Sequence, residues 1–213
     1  MNRQRLTKDV LCDLLTERDN LVKDYGSLEK TEDLVSWTSF FPGGAGVWRG
    51  NELIGDALPL YFPEKPYMFV AHNYDGSKSY RRMLKRGWER RNTPFWKTFL
   101  AYLDYANIDP TDVFMTNVFM GLRTGKAVGQ MEGGGSYFES QCLEFFDRQV
   151  AIVQPRMVIV MGNHALNALY DYERKVHVPH PSACRDDAKR ADQIPKKVAT
   201  LVAAIAEMKR LRR

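Results

Sequence analysis

The sequence has no apolar run approaching the ~20 residues that a membrane-spanning helix requires. It also lacks the short signatures of the commonest catalytic machineries. There is no Gly-x-Ser-x-Gly elbow, no His-Glu-x-x-His helix and no Gly-x-Gly-x-x-Gly turn, and Gly133-Gly134-Gly135 is not followed by the Gly-Lys-Ser/Thr of a phosphate loop. Cysteine is scarce: Cys12, Cys142 and Cys184 stand far apart with no Cys-x-x-Cys pair. Neither a disulfide framework nor a cysteine-built metal or iron–sulfur site is suggested, and a reducing compartment fits. No apolar signal core follows Met1-Asn2-Arg3-Gln4-Arg5, so the expected location is the cytoplasm, or the nucleus of a eukaryotic cell, rather than the outside. No internal repeat is present, and neither a metal nor an organic cofactor is expected.

The 213 residues, 44% hydrophobic and 27% charged, suffice for one sizeable core and are short for two, so residues 1–213 are expected to form a single domain; a monomer is expected as well. Thirty-one basic against 26 acidic residues leave a net charge of +5. The distribution says more than the sum. Lys78, Arg81, Arg82, Lys85, Arg86, Arg90 and Arg91 fall in one short run with Trp88 among them and Glu89 as its only acid. Such a run suits phosphate contacts with base stacking, whereas a charge run by itself is ordinarily a solvated helix face. The basic tail Lys209-Arg210-Leu211-Arg212-Arg213 reads as cations favoured by a helix carboxyl terminus.

In chain order, a helix is expected from Thr7, as N-cap, to Asp24, with Val10, Leu11, Leu14 and Leu15 on its apolar face. Residues 27–66, with Phe41-Pro42-Gly43-Gly44, read as a long covering segment. A buried strand is expected over residues 67–72, and a helix entered through Asn92-Thr93-Pro94 with Phe95, Trp96, Phe99, Leu100 and Leu103 at helical spacing. A second strand follows at residues 113–118. Gly121–Gly135, which carries Arg123 and Lys126, reads as a loop; Ser136-Tyr137-Phe138-Glu139 reads as a capping box opening a helix that Pro155 stops. A third strand spans residues 157–161, Asn163 is expected to cap a short helix, and a last short strand carries His177. Beyond Pro195, Val198, Leu201, Val202, Ile205 and Met208 predict a final amphipathic helix. Strands alternating with helices predict a right-handed three-layer α/β/α sandwich with a short, essentially parallel central sheet.

Each expected strand ends in a polar signature: Ala71-His72-Asn73-Tyr74-Asp75-Gly76, Thr116-Asn117, Gly162-Asn163-His164 and His180-Pro181-Ser182. Folds of this kind bind ligands at the carboxyl ends of their strands, so Asn73, Asn117, Gly162 and His180 are expected to converge on one crevice. Two amides and an imidazole form a donor and acceptor set suited to reading a planar heterocycle and stabilising a developing oxyanion. They make a poor metal site. Taken singly, an asparagine after a strand is usually a turn residue or a cap, and a small-molecule α/β hydrolase remains an alternative.

In these stretches, and across roughly residues 65–185, the chain resembles the uracil-DNA glycosylase superfamily. Ala71-His72-Asn73-Tyr74-Asp75-Gly76 is similar to the family's first active-site motif, which reads Gly-x-Asn-Pro-Gly in one branch. Thr93-Pro94-Phe95 and Val113-Phe114-Met115-Thr116-Asn117 resemble the segments bearing the base-stacking ring and the base-reading asparagine. The run from Gln154 to Gly162 is similar to the family's strand–glycine–helix segment, and His180-Pro181-Ser182 to its third motif. Ala71 and Tyr74 depart from the family's glycine and proline, Gly76 is displaced by one residue, and the basic run is an apparent insertion. Neither the iron–sulfur cysteines nor a bulky apolar wedge after Ser182 is present.

The resemblance implies a DNA-repair enzyme that flips a damaged base from double- or single-stranded DNA and hydrolyses its glycosidic bond. Asn73 would position the water and His180 would stabilise charge on the base. His72, Phe95, Asn117 and Gly162 would line the base site. Lys78, Arg81, Arg82, Lys85 and Arg86, helped by Lys126, would hold phosphates, with Ser182 and Arg185 following the third motif against the duplex. The departures keep a second reading open, a catalytically silent member of the fold that binds nucleic acid or a protein partner.

Overall fold

The computed structural model describes residues 6–7, 28–29, 61–62, 67–73, 93–109, 112–119, 122–123, 135–183 and 187–211. Four apolar runs form its central sheet: β1 (Tyr67–Ala71), β2 (Val113–Asn117), β3 (Met157–Met161) and β4 (Lys175–Val178). They pair in the order β2-β1-β3-β4, every pair parallel, with Tyr67 opposite both Val113 and Met157 and Val160 opposite His177. Every residue of β1, β2 and β3 is buried. A parallel sheet covered on both faces has no solvated side, which is why these strands read as unbroken apolar runs rather than as alternations.

Alternation along the strands divides the core between the two faces. Tyr67, Phe69, Ala71, Val113, Met115, Met157, Ile159 and Met161 pack with α1 (Pro94–Tyr105) and with the long carboxyl-terminal helix. Met68, Val70, Phe114, Val158 and Val160 are buried on the opposite face, where α2 (Gly135–Val153) is tied to β2 by the hydroxyl of Thr116 donating to Gln149 Oε1 at 2.6 Å. α3 (Asn163–Ala168) follows β3, and α4 (Asp187–Arg210) closes the described chain. The expected three-layer sandwich with a parallel sheet is the observed architecture. Among the described residues no helix is long and apolar enough to cross a membrane.

Local sequence explains most boundaries. Thr93 is the N-cap of α1, accepting from the Trp96 amide at 3.3 Å, and Pro94 occupies the first turn, where its missing N–H costs nothing. Asn107, at φ 52, turns the chain after α1 in a left-handed conformation that asparagine tolerates better than most residues. Gln154 does the same after α2 at φ 47, ahead of Pro155.

Four expectations need correction. α4 begins at Asp187 rather than beyond Pro195 and carries that proline in its interior; Ile194, Val198, Leu201 and Ile205 form one buried stripe that holds both sides of the proline on the core. Val202, expected on the apolar face, is exposed because it lies outside that 4-3-4 spacing. Asn163 lies within α3, whose cap is Gly162 with no side-chain hydrogen bond. Ser136 falls inside α2, which starts one residue earlier. Thr7 belongs to a two-residue antiparallel pairing, Leu6 with Phe62 and Thr7 with Tyr61, and the rest of the helix expected there lies outside the described residues. A second such pairing joins Leu28–Glu29 to Leu122–Arg123.

Candidate active site at the carboxyl edge of the sheet

In the order β2-β1-β3-β4, the chain leaves β1 for one neighbour and later returns to the other side, so the carboxyl ends of β1 and β3 flank the point where crossovers diverge. Parallel α/β folds open a crevice at such a point. His72 and Asn73 follow β1, Gly162 and His164 follow β3, Asn117 ends β2, and His180 lies just beyond β4.

Backbone hydrogen bonds hold these ends together past the regular strands. The amides of Val118 and Phe119 donate to the carbonyls of Ala71 and His72, both at 2.9 Å, and the Gly162 amide donates to the Val178 carbonyl at 2.8 Å. The four ends therefore form one continuous edge. Gly162 is required there: at φ 84 and ψ 163 it occupies a region that is essentially glycine-only. A Cβ on it would lie 2.8 Å from the Cβ of His180. The close approach lets the turn after β4 lie directly against the turn after β3.

His180 is the most tightly framed side chain of the set. Its Nδ1 accepts from the Ser182 amide at 3.2 Å, which in the neutral ring puts the proton on Nε2 and leaves that atom as a donor. The ring of Phe95, from the first turn of α1, lies 5.6 Å away at 47°. Burial, and secondarily the charge of His164, hold the imidazole below the ordinary histidine range, so the neutral form prevails at pH 7. Pro181–Ala183 forms one 3-10 turn, with Ala183 donating back to the His180 carbonyl at 2.9 Å.

Asn117 is fully buried, directly opposite Ala71 in the sheet, and among the described residues neither Oδ1 nor Nδ2 has a hydrogen-bond partner. By strand alternation it shares the face of Val113 and Met115, which α1 covers. Asn73 follows as a half-buried residue in the bend after β1. Of the expected site residues, Phe95, Gly162, His180 and Ser182 meet in one cluster, and Asn73 and Asn117 share the adjoining edge. Lys78, Arg81, Arg82, Lys85, Arg86, Lys126 and Arg185 lie outside the described residues.

Phe119 escaped the sequence reading, and His164 entered it only within a strand-end signature. The ring of His72 meets Phe119 edge to face at 5.0 Å and His164 at 5.3 Å. Each stands two residues beyond a strand-end residue already singled out, Asn117 or Gly162, and that offset was the signal available in the sequence. His177 is out of phase with Val176 and Val178, which pack on the α1 face, and so belongs to the opposite face. Among the described residues no group of three or more histidine, cysteine or acidic side chains is placed to hold a metal ion.

A search of curated proteins finds no match to the chain. A family model does match, that of the uracil DNA glycosylase superfamily, over residues 57–207. The matched span covers more than half of the 213 residues and takes in all four sheet strands and every strand-end signature. On that extent, and with the parallel sheet and its edge as described, the chain belongs to the uracil DNA glycosylase superfamily.

Proposed function

We propose that the chain is a monofunctional DNA glycosylase that hydrolyses the N-glycosidic bond of uracil, or of a related deaminated base, after the nucleotide has swung out of DNA. Superfamily membership supports glycosylase chemistry on DNA. The observation that carries the finer reading is the Asn117 amide, buried with both polar atoms unpartnered. An unpaired buried polar group costs about 1–3 kcal/mol, and a bound ligand that pairs with both atoms would relieve it. One donor beside one acceptor matches the lactam edge of uracil, while cytosine reverses that pattern.

The remaining roles follow from geometry and charge. Base flipping costs a few kcal/mol, least for a mispaired base, and the ring of Phe95 would offset part of it by stacking. As the glycosidic bond lengthens, negative charge gathers on the departing base and positive charge on the sugar. His180, neutral with its proton on Nε2, would donate to the developing oxyanion, a contribution of about 3 kcal/mol for one preorganised donor. Asn73 has no basic group and would orient the attacking water through its amide, so turnover should be slower than with a carboxylate. The basic run from Lys78 to Arg86 would supply salt-sensitive phosphate contacts.

The test incubates purified protein with uracil-, hypoxanthine- and xanthine-containing DNA, single- and double-stranded, and cleaves abasic sites with alkali. Release from at least one substrate, lost in Asn117→Ala and His180→Ala, is the expected outcome. The replacement of the family's glycine and proline by Ala71 and Tyr74 favours one competing reading, the silent DNA binder. Salt-dependent binding of DNA with no base release from any substrate would select it.

A further inference from the structure

His180 is held from three sides by contacts already described: the Ser182 amide on Nδ1, the Phe95 ring and the glycine wall at Gly162. Gly162 also holds the chain two residues upstream, through its amide on the Val178 carbonyl, which leaves the backbone between Val178 and His180. That backbone is engaged from α1, where the phenol of Tyr102 donates to the carbonyl of Pro179 at 3.3 Å, the peptide that joins Pro179 to His180. Tyr102 is fully buried, in a core whose other members here are apolar: Trp96, Phe99, Leu103, Val178 and Ile194. It stands seven residues after Phe95, two helical turns along the same face. One side of α1 therefore reaches both the ring of His180, through Phe95, and the chain leading into it, through Tyr102.

We propose that Tyr102 is a positioning residue for His180: its hydroxyl, anchored on α1, fixes the Pro179 carbonyl and with it the place from which the imidazole Nε2 acts. The Pro179 carbonyl would otherwise sit half-buried beside a fully buried hydroxyl, each without this partner. The Ser182 amide orients the ring about its own bonds, whereas Tyr102 locates the backbone on which the ring turns. The two contacts act on different degrees of freedom, and loss of the second should displace a correctly oriented ring. The inference rests on the reading of His180 as the donor to the leaving base.

The test uses the full chain with Tyr102→Phe, which removes one oxygen and keeps the ring, and Tyr105→Phe, an exposed tyrosine on the same helix, as control. Each is combined with native His180 and with His180→Ala. Tyr102→Phe should slow single-turnover uracil release about tenfold, the scale of a sub-ångström misplacement, with the half-saturating DNA concentration unchanged. In the His180→Ala background the same substitution should change the residual rate no further, the non-additivity expected of residues acting through one another. The His180 imidazole resonances should shift or broaden in Tyr102→Phe and stay fixed in Tyr105→Phe. Wild-type release, an equal slowing in both backgrounds, or an unmoved His180 resonance would each overturn the assignment. If the wild-type protein releases no base from any substrate, the functional reading fails instead, and the His180 resonances alone decide whether Tyr102 positions the ring.

Discussion

Thr116 and Asn117 are consecutive, polar and fully buried at the end of one strand, yet they are treated in opposite ways. Thr116, facing α2, has its hydroxyl bonded to Gln149 Oε1 at 2.6 Å. Asn117, facing α1, has no partner among the described residues for either amide atom. A buried hydroxyl that finds a side chain 33 positions away cross-links two layers and stabilises the fold. An amide left unpaired next to it destabilises the fold by about 1–3 kcal/mol. On the function proposed above, the strand presents a structural face and a recognition face one residue apart, and mutations on the two should separate stability from activity.

The largest effect is expected on the recognition face. Asn117→Ala and His180→Ala should each lower the rate of base release by about 10²–10³-fold, the scale for loss of one preorganised hydrogen-bonding group. Asn117→Ala should leave the melting temperature equal or higher, because it removes an unsatisfied group; a clear fall would mean that the amide is structural after all. Gly162→Ala comes next. Backbone strain of about 1–3 kcal/mol at its positive φ, together with a Cβ driven into His180, should depress both thermal stability and base release.

On the structural face, Thr116→Val should cost about 1–3 kcal/mol of stability by leaving Gln149 Oε1 unpaired, and should spare base release within about twofold. Loss of release with unchanged melting would erase the distinction between the faces. The smallest effect is a shift in pH dependence. Protonating His180 at Nδ1 removes the acceptor of the Ser182 amide that orients the ring, so release should fade as pH falls through a value below the ordinary 6.5. The linked stability is complete above the unfolded value of 6.5 and declines as pH falls toward the lowered folded value, since the unfolded chain binds the proton first. His164→Gln removes the charge that contributes to the lowering, so the acid limb of the release profile should move to higher pH.

The sheet was legible because β1, β2 and β3 are buried on both faces and must be apolar at every position; their bounds were read to within a residue. The amino terminus of α1 was equally plain, since Thr93 and Pro94 act locally. Tertiary packing overrode local signals elsewhere. Pro195 looked like a helix boundary, but the buried stripe from Ile194 to Ile205 keeps the helix continuous through it. Asn163 looked like a cap, but the approach of His180 to Gly162 puts the glycine there instead. In the candidate site, the strand-end residues Asn73, Asn117, Gly162 and His180 could be named because each closes an apolar run. Phe119 and Tyr102 could not, and His164 only within a signature, because their roles depend on which ends become neighbours, and only the strand order decides that.

That order also bears on how the protein is made. β1 is synthesised first of the four strands but sits between β2 and β3, so its two sides are completed by residues 113–117 and 157–160. Until β3 has emerged, the apolar run Tyr67–Ala71 has an open edge of unpaired backbone, the kind of surface on which nascent chains associate with one another. The turn that carries His180 is made later still. The candidate site is therefore among the last features to assemble, and nascent chains arrested before Met161 should be captured by chaperones, whereas those extending past the end of α4 should escape them.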